Sequence, residues 1–80
     1  MTNHDDAINE AFYLMENIKN QGLDNPVSLE TYAYQAGRAD KRLHEKLRAN
    51  APLTEDIIAK IDFARRELHM AEARLSACRA

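Results

Sequence analysis

Residues 54–78 read TEDIIAKIDFARRELHMAEARLSAC, and this stretch decides the fold class. Apolar residues recur in it at alternating spacings of four and three: Ile57, Ile61, Ala64, Leu68, Ala71, Leu75 and Cys78. Such spacing over three heptads indicates one face of a long α-helix that packs against another helix. Thr54 is placed to cap this helix, and Glu55 and Asp56 follow in the first turn, where the helix dipole favours acids. We predict a helix over 54–78, with Cys78 as a small buried residue near the end of the packed face.

A second row of residues lies elsewhere on the same predicted helix. Its members are spaced by seven, and three of the four are apolar: Asp56, Phe63, Met70 and Ala77. A helix with two apolar stripes is expected to have packing partners on two sides. Two arrangements meet this requirement. Either other helices of the same chain cover both stripes in a monomer, or a second copy covers one of them in a homodimer.

Helical spacing also dominates the residues before this stretch. Helix 1 is predicted over about 6–20 from its apolar repeat, which consists of Ile8, Ala11, Met15 and Ile18. Asp5 or Asp6 is expected to cap it, and Gly22 suits the left-handed position at its end. Helix 2 is predicted over about 27–49, with Asn25 or Ser28 as its cap. Its apolar repeat consists of Leu29, Tyr32, Ala36, Ala39 and Leu43.

The predicted fold is therefore all-α, with a single domain over residues 1–80. We expect helices 2 and 3 to form an antiparallel hairpin and helix 1 to pack across or beside it. A chain of 80 residues buries only about 60–65% of its unfolded surface, so its core is small and association with a second copy is an accessible source of stability. We expect a homodimeric helical bundle. The residues predicted to carry self-association are Ile57, Ile61, Phe63, Leu68, Met70 and Leu75.

Charge is distributed unevenly along the chain. The formal net charge is only −2, which is weak for a dedicated nucleic-acid-binding protein. However, residues 1–37 contain six acids and one base, whereas residues 38–80 contain ten bases and seven acids. A run of bases interrupted by acids occupies residues 38–48 in helix 2. The residues predicted to contact a partner's acidic surface are Tyr34, Arg38, Lys41 and Arg42.

Motifs for catalysis, metal binding and cofactor binding are absent from the sequence. The chain has two glycines, so it has no glycine-rich phosphate loop, and its three histidines lack the spacing of a zinc site. We therefore expect no enzyme activity, no metal and no cofactor. The single cysteine and the acidic N-terminus, which is unlike a secretory signal, predict a cytoplasmic protein. No apolar run is long enough for a membrane span, so we expect no membrane partner.

These observations favour a small, non-enzymatic protein–protein interaction module. It would self-associate through helix 3 and act by binding or occluding a partner protein through charged helical faces. The alternative is a small nucleic-acid-binding transcriptional regulator, in which a dimer combines the basic residues of two chains. The sequence favours this alternative less, because helix 3 opens with Glu55 and Asp56, and acids at the start of a recognition helix would face phosphates.

Overall fold

The computed structural model describes residues 4–49 and 52–79, and within these ranges it contains three α-helices and no strand. Helix α1 spans His4–Gln21, α2 spans Pro26–Arg48 and α3 spans Glu55–Arg79. The all-α prediction is confirmed. Every predicted boundary lies within two residues of the observed one, which is the usual uncertainty of helix ends.

Side-chain caps define the start of two helices, and a glycine defines the end of the first. The Asn25 side chain accepts a hydrogen bond from the backbone N–H of Ser28 at 2.9 Å, directly before Pro26 opens α2. Thr54 Oγ1 accepts the backbone N–H of Ile57 at 3.2 Å at the start of α3. Gly22 ends α1 with φ of 111°, a left-handed conformation that costs little only for glycine.

The beginning of α1 differs from the prediction. The helix starts at His4, so Asp5 and Asp6 lie within its first turn and not at the capping position. The helix dipole stabilises an acid at the cap and in the first turn alike, so the two acids do not by themselves mark where the helix begins. The residue that precedes His4, where the cap would be, lies outside the described residues.

The core consists of two clusters, arranged one after the other along α2. The first contains Met15, Leu29, Tyr32, Ala36, Ala71 and Leu75. The second contains Ile8, Ala11, Ala39, Leu43 and Ala64. The first cluster joins the early part of α2 to the late parts of α1 and α3, and the second joins the late part of α2 to the early parts of α1 and α3, so consecutive helices run antiparallel. The predicted hairpin of α2 and α3 is thereby confirmed, and α1 packs beside α2.

Small side chains determine how closely the three helices approach. Ala36, Ala39, Ala64 and Ala71 are fully buried. They allow α2 to lie close to both neighbours, whereas no Cα atom of α1 lies within 8 Å of a Cα atom of α3 among the described residues. Long side chains span this gap: the rings of Phe12 and Phe63 have centroids 5.8 Å apart. An open groove therefore runs between α1 and α3.

Cys78 is exposed, so the prediction that it is buried was wrong. The spacing of four and three averages 3.5 residues per turn, whereas a straight α-helix has 3.6. A seam with this spacing drifts by about 20° per heptad around a straight helix. Over the three heptads from Ile57 the drift reaches about 60°, which turns position 78 away from α2. Leu75, three residues earlier, is still buried.

Candidate interaction surfaces

Two tyrosines of α2, two positions apart, point in different directions. Tyr32 is 1% exposed and belongs to the core, whereas Tyr34 is 65% exposed. Two positions apart on one helix, the two rings must point to different faces, and the sequence left open which of them faces solvent. The structure therefore places Tyr34, one of the four residues predicted for partner contact, on the surface.

The side of α2 turned away from the core forms a surface that we call the basic face. It consists of Val27, Tyr34, Arg38, Lys41, Arg42 and Arg48, which are exposed or half-exposed. All four predicted partner-surface residues belong to it. Four of its members follow one another at intervals of seven, in one line along the helix: Val27, Tyr34, Lys41 and Arg48. Sequence reasoning did not choose Val27 or Arg48 for partner contact, although Arg48 ends the basic run 38–48 and this interval was available to find both.

Local hydrogen bonds orient the two inner guanidinium groups of the basic face. Arg38 donates from Nη1 to Gln35 Oε1 at 3.1 Å, and Gln35 is itself buried. Arg42 donates from Nη1 to Glu45 Oε2 at 3.1 Å. Each bond engages one of the guanidinium nitrogens, and a guanidinium offers five N–H donors in total. Both groups are held in position and retain donors for a carboxylate.

A charged cavity of about 300 Å³ lies where the end of α2 meets α3. Its lining includes His44, whose Nδ1 lies 2.8 Å from the carbonyl oxygen of Asp40 and whose Nε2 lies 3.2 Å from Nη2 of Arg65. Lys41 and Arg48 line the same cavity, and so do the acids Asp40 and Glu45. Asp40 Oδ1 lies 3.3 Å from His44 Nδ1. Three bases and two acids therefore surround the histidine.

One side-chain network joins all three helices. Glu67 Oε1 of α3 accepts a hydrogen bond from Tyr32 Oη of α2 at 2.5 Å. The same oxygen forms an ion pair with Lys19 Nζ of α1 at 3.0 Å. Burial, together with the hydrogen bond to Glu67, raises the pKa of Tyr32 far above its ordinary value. Partial burial alone would raise the pKa of Glu67. The hydrogen bonds from Tyr32 and Lys19 outweigh burial, so the pKa of Glu67 is lowered. Sequence reasoning missed this network.

The six residues predicted for self-association divide into two groups. Ile57, Ile61, Leu68 and Leu75 pack toward α2 of the same chain and are buried or half-buried. Phe63 and Met70 lie on the side of α3 that borders α1. Phe63 remains 38% exposed beside Phe12, and half-buried Met70 packs against the first core cluster. Helices of the same chain thus cover most of the first stripe of α3, which ends at the exposed Cys78, and a smaller part of the second.

The groove between α1 and α3 is shallow and open. Its central part has a volume of about 250 Å³ and is lined mainly by the aromatic and aliphatic groups of Phe12, Met15, Tyr32 and Phe63. A second opening of about 320 Å³ lies nearer the start of α3, where Ile8 and Ile57 meet Asp56 and Lys60. Lys46 of α2 also lines this second opening, and Glu16 and Lys19 lie at the edge of the first. An apolar groove with a charged edge can receive an amphipathic helix.

In residues 4–49 and 52–79, no three histidine, cysteine or acidic side chains lie close enough together to hold a metal ion. None of the helices in this part of the chain combines the length and apolarity that crossing a bilayer requires. The chain was compared with models of protein families, with curated proteins and with solved structures, and no match was found in any of the three.

Proposed function

We propose that this protein is a non-enzymatic interaction module whose basic face on α2 binds an acidic surface of a partner protein. The observation that carries the proposal is the exposed ring of Tyr34 beside Arg38 and Lys41 on one side of a regular helix. Tyrosine and arginine are the residue types that most often dominate binding energy at protein interfaces. The rigid helix holds them in a fixed pattern, which lowers the entropic cost of binding.

The charge of the basic face indicates the chemistry of the partner. Four bases lie on it, namely Arg38, Lys41, Arg42 and Arg48, and Glu45 neutralises one of them. A partner with aspartates and glutamates on a helix or a flat surface would match this charge and accept bidentate hydrogen bonds from the arginines. Binding to such a surface would act by occlusion or by scaffolding, because the basic face has no catalytic group to offer.

We also propose that the protein forms a homodimer and that it is located in the cytoplasm. Support for a dimer comes from the partly uncovered second stripe of α3 and from the small size of the core. Support for the cytoplasm comes from the single cysteine, which has no second cysteine in the chain with which to form a disulfide.

Two tyrosines with nearly equal exposure provide a matched test. Tyr34 lies on the basic face and is 65% exposed, whereas Tyr13 lies on α1 and is 64% exposed. The wild-type chain, Tyr34→Ala, Lys41→Glu and Tyr13→Ala would each be immobilised and used to capture proteins from the native cell, with identification by mass spectrometry. We expect a partner that wild type and Tyr13→Ala retain and that the other two variants lose. Equal capture by all four, or capture of nothing, would refute the proposal.

A second candidate function, nucleic-acid binding, is favoured by one observation: three bases, Lys41, Arg48 and Arg65, outnumber the two acids that line the same cavity at the surface. Phosphates would suit such a cluster, and binding to them weakens steeply as salt rises. Fluorescence anisotropy measures binding of the protein to a labelled DNA duplex and to a labelled RNA strand at a series of salt concentrations. This measurement distinguishes nucleic-acid binding from binding of a protein partner. Steep salt dependence that becomes shallower in Arg42→Ala would support the nucleic-acid function. Capture of a protein partner, with no binding of either nucleic acid at any salt concentration, would support the first.

A further inference from the structure

The outer side of α3 carries a second regular seam. Its members follow one another at spacings of four, three, four, three and four: Ala59, Phe63, Arg66, Met70, Ala73 and Ala77. Five of the six are apolar, and all six are exposed or half-buried. This seam is distinct from the one that packs on α2. Ala59 and Ala73 make the seam continuous. They do not belong to the row of residues spaced by seven, which contains only Asp56, Phe63, Met70 and Ala77.

The chain itself covers only a small part of this seam, at Phe63 and Met70. No Cα atom of α1 comes within 8 Å of α3 in the described part of the chain, and only longer side chains such as Phe12 reach across. The groove beside Phe63 stays open. An exposed heptad seam on a straight, regular helix is the surface on which another helix packs with knobs in holes.

We propose that a second copy of the chain covers this seam with its own α3, and that the two α3 helices run antiparallel. The inference rests on the self-association proposed above and specifies its surface and polarity. It places the contact on the outer seam, away from Ile57, Ile61, Leu68 and Leu75, which are already occupied by packing within the chain.

The charge along α3 selects the antiparallel arrangement. Residues 55–62 carry three acids and one base, whereas residues 63–79 carry four bases and two acids. An antiparallel pair places the acidic start of each helix beside the basic end of the other, and it also opposes the two helix dipoles. A parallel pair would place like ends together and would set Arg66 against Arg66 of the second copy in the middle of the seam.

Side-chain size selects the register. A two-fold axis midway between Arg66 and Met70 sets Phe63 opposite Ala73 of the second copy, and Ala59 opposite Ala77. A large ring thus meets a small side chain, as interdigitating helices require. The same axis sets Met70 opposite Arg66, whose aliphatic stem can cover the thioether while its charged end reaches water. Arg66 Nε already forms an ion pair with Asp62 Oδ2 at 3.0 Å. This contact keeps the aliphatic stem of Arg66 along the helix surface.

Cysteine crosslinking of the full chain tests the polarity. In the Cys78→Ala background, Ala59→Cys and Ala77→Cys together should give a covalent dimer under a mild oxidant. Ala77→Cys alone should not, because the antiparallel register separates the two introduced thiols by about 27 Å along the helix axis. A covalent dimer from Ala77→Cys alone would overturn the antiparallel arrangement while leaving self-association intact.

Sedimentation equilibrium tests the surface with two matched variants. Ala73→Arg places a long charged side chain on the seam, and Ser76→Arg places the same side chain on another side of α3; both positions are exposed in the chain, so folding should be retained. We expect the dimer dissociation constant to rise by at least about tenfold in Ala73→Arg and to stay within about twofold in Ser76→Arg. Equal effects of the two variants would overturn the seam. A wild-type mass near 9.1 kDa at micromolar concentration would overturn self-association itself.

Discussion

Tyr32→Phe is the substitution that tests most directly how the three helices are held together. Tyr32 Oη donates to Glu67 Oε1 at 2.5 Å, and Lys19 Nζ approaches the same oxygen at 3.0 Å. The substitution removes one oxygen atom and keeps the buried ring, so the packing of the first core cluster is preserved. The change in stability therefore reports the hydrogen bond and little else.

The expected loss follows from the partners that remain. A hydrogen bond to a charged acceptor contributes about 1.5–3 kcal/mol. Glu67 keeps its ion pair with Lys19 and is partly reached by water, so we expect the lower part of this range, about 1.5–2 kcal/mol. A domain of this size loses about 4–8 °C of Tm per kcal/mol, which gives a decrease of about 5–15 °C.

The stability that this network contributes should fall both at high pH and at low pH. Burial and the bond to Glu67 raise the pKa of Tyr32 in the folded state, so its contribution is complete below the unfolded pKa of about 10 and is lost as pH rises above it. The pKa of Glu67 is lowered in the folded state, so its contribution is present above the unfolded pKa of about 4.3 and is lost as pH falls below it. The stability difference between wild type and Tyr32→Phe should therefore be largest between these limits.

Urea denaturation followed by far-UV circular dichroism measures this difference, with every variant at the same protein concentration because association adds to apparent stability. Tyr34→Phe is the control, since its hydroxyl lies on an exposed ring, and it should change stability by less than about 0.5 kcal/mol. A loss in Tyr32→Phe no greater than in this control would refute the role of the network. A difference that stays constant above pH 10 would refute the assigned cause.

Three further substitutions test other parts of the fold by the same denaturation assay. Gly37→Ala should stabilise the chain by about 0.5–1 kcal/mol, because an added Cβ at this helical position meets nothing within 4 Å. Gly22→Ala should destabilise the chain, because φ at this position is 111°. A loss of stability in the first variant and a gain in the second would contradict both glycine environments. Leu43→Ala should cost about 2–5 kcal/mol since the side chain is buried, whereas exposed Leu53→Ala should cost less than about 1 kcal/mol; similar losses would mean that the second core cluster is loosely packed. Ala71→Leu should cost about 1–3 kcal/mol, because Ala71 is fully buried where α3 approaches α2, and a neutral result would show that the two helices can separate without penalty.

Local signals in the sequence were sufficient for the helices and for the α2–α3 seam. The caps at Asn25 and Thr54 and the turn at Gly22 depend on residues within four positions of one another, so their physical cause is visible in a short segment. The repeat from Ile57 to Leu75 identifies its own packed face in the same way. The basic face of α2 follows from this logic too, because it is the side opposite the apolar repeat.

Relations between distant segments could not be predicted from one sequence. Glu67 lies 48 positions from Lys19 and 35 from Tyr32, and nothing local to any of them indicates that the three meet. The exposure of Cys78 depends on whether α3 stays straight or supercoils around α2, which the spacing alone does not give. The contact of Phe12 with Phe63 depends on where α1 lies, and this in turn depends on the alanines that draw α2 toward both neighbours.

The two proposed surfaces lie on different helices, which allows one chain to use both at once. The basic face lies on the side of α2 turned away from the core, and only its end at Lys41 and Arg48 borders α3, in the cavity beside Arg65. The outer seam lies on another side of α3, beside the groove. A two-fold pair formed through α3 would therefore present two basic faces without covering either. A partner with two acidic sites would bind such a pair with a higher effective concentration for the second contact than for the first. Ala73→Arg would then weaken capture of that partner although position 73 touches only the second copy, and unchanged capture by the resulting monomer would show that a single basic face suffices.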